Sequence, residues 1–236
     1  MNSELLSRNA GTGSILKMLI SASIIFALNS CTKENLTPFD LEADRAHVNT
    51  GTNTQLADTL KCGGFRTQTQ GGWGAPAHGN NPGNYLHTHF TGAFPNGLTV
   101  GCTYKITLTS AQAITDYLPG GGTPAVLTSN YINPVKLKNN LASQLITLTL
   151  SVQFDLYDPK FSSSTLPLGN LLIGSGPFKG ISIKDFLKEA NNVLGGCPSK
   201  YTAAQISDVL TAINENFDNG TTNGGFLVCP GNIVVN

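Results

Sequence analysis

The sequence predicts an α+β fold: a Gly-rich, disulfide-bridged β/loop N-terminal half packed on a small helical C-terminal half. Three observations predict it. Residues 62–101 carry ten glycines, five aromatics (Phe65, Trp73, Tyr85, Phe90 and Phe94) and one charged side chain, Arg66. Such a composition points to short strands and long turns rather than helices. Residues 98–109 alternate apolar with polar, the period of a half-buried strand. Beyond residue 180, two stretches with apolar residues at helical spacing each open on a helix-capping residue, Ser182 and Thr202.

The chain opens with an address. Met18–Leu28 is an apolar run behind Lys17 and Arg8, too short to cross a bilayer and followed by Asn29, Ser30 and Cys31. This is the layout of a cleaved export signal. Leu28 and Ser30 stand three and one residues before Cys31, a spacing that resembles the lipobox of bacterial lipoproteins. The resemblance implies that residues 1–30 are a signal peptide and that Cys31 carries fatty acyl chains such as palmitate. The mature protein is then expected at the outer membrane, facing the periplasm or the cell surface. Residues 31–60 are polar and aperiodic, and read as a flexible tether. Within them, Lys33-Glu34 resembles the short acidic signals that send some lipoproteins to the surface. Residues 61–236 form the single extracytoplasmic domain.

Only 12% of residues are charged and the net charge is zero, about half the usual charged share for a soluble domain. This balance offers no footprint for nucleic acid and no polybasic patch for lipid headgroups, so the membrane is a partner through the lipid alone. With Cys31 acylated, Cys62, Cys102, Cys197 and Cys229 remain, an even number for an oxidising compartment. Two disulfides follow, in one of three connectivities. Pairing Cys62–Cys102 and Cys197–Cys229 is favoured, because each pair brackets one compact segment. The spacings match no zinc pattern.

Within the domain, Leu98, Val100, Cys102, Tyr104, Ile106 and Leu108 define the buried face of a strand. Ser110 caps a short helix through Leu118, ended by Pro119 and Gly120–Gly122. The next stretch carries two periods. Leu137, Leu141, Leu145, Leu148 and Val152 form a helical stripe, while Ile146–Leu156 alternate as a strand would. The Asn133-Pro134 pair and the length favour a buried helix over 134–154. Ser182 opens a helix that ends at Gly195-Gly196. Thr202 opens the last, with Ile206, Val209, Leu210, Ile213 and Phe217 on one face and Asp218-Asn219-Gly220 as its stop. Residues 221–236 return as a short strand pinned by Cys229.

Thr67–Gly74, Ala142–Val152 and Ile183–Gly196 are together similar to a module in secreted bacterial surface proteins. That module has a T-Q-G-x-W turn, a Q-L-x-x-L-x-L-x-V helix and a helix ending in A-N-x-x-L-G-G. The resemblance implies a surface-exposed, disulfide-containing module with no assigned activity. Ala75-Pro76-Ala77-His78 stands where the module often has K-N-H.

Two constellations could carry chemistry. On a strand, His87 and His89 would point to one side and share an ion with His78, giving zinc an open position for hydrolysis. No Asp or Glu lies between Cys62 and Asp116 to serve as base. Alternatively, Trp73, Tyr85 and Phe90, with the amides of Gln68 and Gln70, would stack on and hydrogen-bond to sugars. Neither a calcium loop at Asn214–Asp218 nor a nucleophile elbow at Ser175 has the required spacing. The expected function is therefore a lipid-anchored, non-catalytic binding or structural module for polysaccharide or an envelope protein. No cofactor is expected besides the lipid. The alternative is a metal-dependent hydrolase at His78, His87 and His89.

Overall fold

The computed structural model describes residues 62–135 and 137–231. The expected signal peptide (residues 1–30), Cys31 and the expected tether (31–60) lie outside the described residues. The fold is α+β, and its centre is one helix, α4 (Asn140–Tyr157). Around it stand α1 (Gln70–Trp73), α2 (Pro82–Ala93), α3 (Ala111–Tyr117), α5 (Ile183–Gly195) and α6 (Ala203–Asn216). A three-stranded sheet of β1 (Leu98–Gly101), β2 (Lys105–Leu108) and β3 (Tyr131–Ile132) covers one flank. A two-stranded ladder, β4 (Leu172–Ile173) with β5 (Leu227–Val228), closes the C-terminal end. All the described residues belong to one compact unit.

Helix α4 is buried over most of its surface, with eleven of its residues covered. Leu141, Leu145, Leu148 and Phe154 are fully covered, and so are Ser143, Thr147 and Ser151. These hydroxyls donate to carbonyls one turn back: Ser143 to Asn139 at 2.7 Å, Thr147 to Ser143 at 2.8 Å and Ser151 to Thr147 at 3.2 Å. A buried hydroxyl without a partner would cost about 1–3 kcal/mol. Satisfied within the helix, the polar stripe packs as if apolar. This explains the double period: the threonines and serines that suggested a strand lie on a helix face that is also buried.

The helix begins six residues later than expected. Asn139, not Asn133, caps it, accepting from the Ala142 N–H. Asn133 takes a left-handed conformation instead. Its side chain accepts from the Thr109 N–H and donates to the Thr109 hydroxyl, both at 2.9 Å, which holds β3 in parallel register beside β2.

Gln70–Trp73 and Pro82–Ala93 are helical where short strands and turns were expected. Thr69 caps α1 and Asn81 caps α2, with Pro82 in the first turn. Leu86, Phe90 and Ala93 then form the buried stripe of α2. The strand expected over 98–109 is a hairpin, with Leu98 opposite Leu108 and Val100 opposite Ile106. Its reversal starts at Gly101, whose φ of 102° suits glycine. The Gly101 N–H donates to the Asn191 side chain on α5 at 2.7 Å. The alternation survives the turn for Leu98, Val100, Ile106 and Leu108, while Tyr104 comes out to solvent.

Helices α3, α5 and α6 follow the sequence. Ser110, Ser182 and Thr202 cap them, and Thr202 with Gln205 completes a capping box. Gly196 ends α5 in a left-handed C-cap. At Gly195 a Cβ would strike the backbone of Cys102, so the contact between α5 and the hairpin turn requires glycine there.

Two disulfides are present, in another pairing from the one favoured above: Cys62–Cys229 and Cys102–Cys197. The reason lies in the chain path. Thr67 is clamped to the end of α6 by Thr67 N–H to Phe217 O at 3.0 Å and Asn219 N–H to Thr67 O at 2.9 Å. This brings the first described residue to the last strand, while Gly195 lays Cys197 against the hairpin turn. Each bridge joins distant segments rather than bracketing one. Non-reducing peptide mapping should recover the Cys62–Cys229 and Cys102–Cys197 pairs; a Cys62–Cys102 peptide would refute this chain path. For a sequence separation of 167, replacing Cys62 and Cys229 by Ser should cost up to about 5 kcal/mol, read from urea unfolding.

Candidate functional site

Trp73, Tyr85 and Phe94 of the N-terminal half meet around Phe154 near the end of α4. Trp73 stacks on Phe161 with ring centroids 6.1 Å apart, and packs against Phe154 at 5.2 Å and Tyr85 at 6.3 Å. It is fully buried, and its Nε1–H donates to Ser151 at 3.3 Å. Phe90 and Gln68 are each 3% exposed. The Gln70 amide donates to Asn140 and accepts from the Gly120 N–H, tying α1 to α4 and to the loop after α3. The expected sugar-stacking set is therefore largely core: Trp73 and Phe90 have no face to offer a ligand. Aromatic wealth in a Gly-rich segment read as a platform, but the short α1 turns its tryptophan inward.

Three of the five residues still share a surface feature. Gln68, Trp73 and Tyr85, with Arg66, Asn80, Pro82 and Phe161, line a cleft of about 40 Å³. That is room for a few waters or a small polar group, far below the several hundred Å³ of a typical ligand pocket.

The expected trio of histidines does not share a side. His87 and His89 sit on α2 rather than on a strand, so they point about 200° apart around the helix. His87 is exposed, with Nε2 3.1 Å from the Thr115 hydroxyl. His89 lies on the Tyr85 ring, centroids 4.2 Å apart. His78 is exposed in the turn before α2. Among the described residues no group of three His, Cys, Asp or Glu side chains could hold a metal. The strand geometry that suggested a shared ion is thus replaced by a helix that separates the two imidazoles.

A larger groove, about 430 Å³, opens beside the aromatic cluster. Asp155, Asp158 and Pro159 at the end of α4 form one wall, and residues 162–167 form the other. Asp155 shapes it, accepting from the Ser162 hydroxyl at 2.8 Å and from the Leu168 N–H at 2.6 Å. Asp158 accepts from the Lys160 N–H at 2.9 Å and from the Tyr85 hydroxyl at 2.8 Å. Partial burial pushes the Asp158 carboxyl up. Its hydrogen bonds from Lys160 and Tyr85, with the nearby His89 and Lys160 charges, outweigh this and hold it below the ordinary carboxylate value. The Tyr85 hydroxyl is pushed well above its usual range by burial and by the same carboxylate. Asp158 is therefore ionised and Tyr85 protonated at neutral pH. Carboxylates and the serine and threonine hydroxyls of the facing wall suit hydrogen bonding to a polyhydroxylated ligand.

The groove escaped the sequence reading because the helix was expected to stop at residue 154. The available signal was Asp155 and Asp158 at i and i+3, which share a face only if the helix runs one turn further.

Two outcomes test this arrangement. Trp73→Ala should cost about 3–5 kcal/mol of stability in denaturant unfolding, as for a buried tryptophan in a packed core. Tyr85→Phe removes one hydrogen bond from Asp158 and should raise its pKa in a carboxyl NMR titration. Because the folded pKa is depressed, Asp158 contributes stability above its unfolded value of about 3.9. That contribution is lost as pH falls through the folded value, and the loss should be smaller in Tyr85→Phe.

No family model, curated protein or solved structure matches the chain.

Proposed function

We propose that the protein is a lipid-anchored binding module of the bacterial cell envelope, held at the outer membrane through Cys31, whose domain grips polysaccharide without cleaving it. The observation that carries the binding reading is the groove of about 430 Å³ walled by Asp155, Asp158 and a hydroxyl-bearing loop. Its size lies within the range of small-ligand sites, and ionised carboxylates that accept hydrogen bonds suit vicinal sugar hydroxyls. The two disulfides support an oxidising compartment, as an export signal ending at Cys31 requires. The near-neutral, sparsely charged chain fits a domain attached by lipid rather than by electrostatics. The similarity of the tryptophan turn and the two helices to secreted surface modules agrees with display outside the inner membrane.

In cells fed an alkyne-tagged palmitate, the wild-type chain should take up the label and sediment with membranes. Cys31→Ala should lose both properties, and an unlabelled or soluble wild type would refute the anchor. For binding, Thr165→Trp fills the groove from its exposed wall. It should lower retention of the full-length, detergent-solubilised protein on polysaccharide beads by about tenfold or more, or about 1.4 kcal/mol, with its melting temperature kept. Equal retention of Thr165→Trp and wild type would place the ligand elsewhere.

A further inference from the structure

One ring at the edge of the aromatic cluster is not taken up by the core. Trp73, Phe90, Phe154 and Phe161 are buried, whereas Tyr157, the last residue of α4, is 45% exposed. Among the described residues the one other exposed tyrosine, Tyr104, stands at the turn of the β1–β2 hairpin. The seat of the Tyr157 ring is a glycine. A Cβ at Gly92, in the last turn of α2, would strike the Tyr157 hydroxyl and ring edge. Gly92 is itself exposed, so core packing does not call for glycine there, and alanine would favour the helix. The tyrosine laid against it accounts for the glycine.

A strip of contacts joins this ring to the groove. Tyr157 stands edge-on to His89, with ring centroids 6.4 Å apart. His89 lies on the Tyr85 ring at 4.2 Å, and the Tyr85 hydroxyl donates to Asp158 at 2.8 Å. His89 and Tyr85 are both partly exposed, so the strip reaches the surface. Asp158 and Pro159, the next two residues along the chain, line the groove of about 430 Å³. A sugar ring has two kinds of surface, an edge of hydroxyls and a face of C–H bonds. The carboxylates and hydroxyls of the groove suit the first. The exposed tyrosine suits the second.

We propose that Tyr157 is a stacking platform beside the groove, a second subsite that takes the C–H face of one sugar ring while a neighbouring ring of the same chain hydrogen-bonds in the groove. This rests on the polysaccharide reading above. It gives Tyr157 the stacking role for which Trp73 and Phe90 lie too deep. The C–H bonds of the sugar meet the negative face of the phenol ring. With its hydroxyl end held against α2 at Gly92, the ring has little freedom left to lose on binding.

The experiment is a calorimetric titration of the full-length, detergent-solubilised protein with cellohexaose, chitohexaose and maltohexaose. The wild type should bind at least one of them. Tyr157→Ala should weaken that binding by about tenfold or more, while Tyr157→Phe, which keeps the ring face, should bind like the wild type. Gly92→Ala should also weaken binding, because the new Cβ pushes the ring from its seat. Its melting temperature should be kept or raised, since alanine favours the helix. A tyrosine that served only the fold would lose stability and binding together. Wild-type affinity in Tyr157→Ala or in Gly92→Ala overturns the platform, and so does an equal loss in Tyr157→Phe. If Thr165→Trp still loses binding in that case, the groove reading stands without the platform. If the wild type binds none of the three oligosaccharides, both fall.

Discussion

The structure depends on a helix that hides its own polar groups. Eleven residues of α4 are buried, and Ser143, Thr147 and Ser151 are among them. Each hydroxyl turns back to a carbonyl of its own helix, so no neighbour has to supply a polar partner. Helices α1, α2, α5, α6 and strand β1 can therefore pack on α4 from all directions with apolar side chains. The residual polar contacts then act as locators. Asn140 reaches Ser207 and Gln70, and Asn214 reaches Gln144, which sets α6 and α1 at fixed heights along α4. These contacts define one arrangement, because any slip breaks them, although the Asn214 Oδ1 is itself buried without a partner among the described residues.

The two surface features inherit their positions from that axis. Trp73 reaches Ser151 in the middle of α4 and packs, fully buried, beneath the small cleft at Tyr85 and Phe161. One turn further, Asp155 and Asp158 leave the core at the end of the same helix and organise the groove. A change of one residue in the helix register would separate the tryptophan from its serine and rotate both carboxylates away from the facing loop. The groove is thus anchored where it touches α4 and built from loop where it faces solvent.

What could be read in advance was what local chemistry decides. Ser110, Ser182 and Thr202 announced their helices, Gly196 announced an end, and the apolar face of α6 followed its period. The same signals stood before α2, where Asn81-Pro82 precedes Leu86, Phe90 and Ala93, but glycine content outweighed them. Gly83 and Gly92 are tolerated there because the helix gains from packing what it loses in propensity. The disulfide partners and the cleft were not legible, since both arise from residues more than ninety positions apart. Nothing local in Cys62 points to Cys229, and nothing local in Arg66 points to Asn219. Fold class needed only short-range pattern, whereas the site needed the path of the whole chain.

The pairing of Cys62 with Cys229 encloses nearly the whole described chain in one covalent ring, and Cys102–Cys197 divides that ring in two. A protease that cuts any one peptide bond between the outer pair leaves two pieces still joined. The long loop between α3 and α4 can be nicked without shedding the domain, and helices that remain packed can hold their shape across the break. Release of a fragment needs a second cut or a reductant. This is a form of damage tolerance, set by which cysteines meet rather than by how tightly the core is packed.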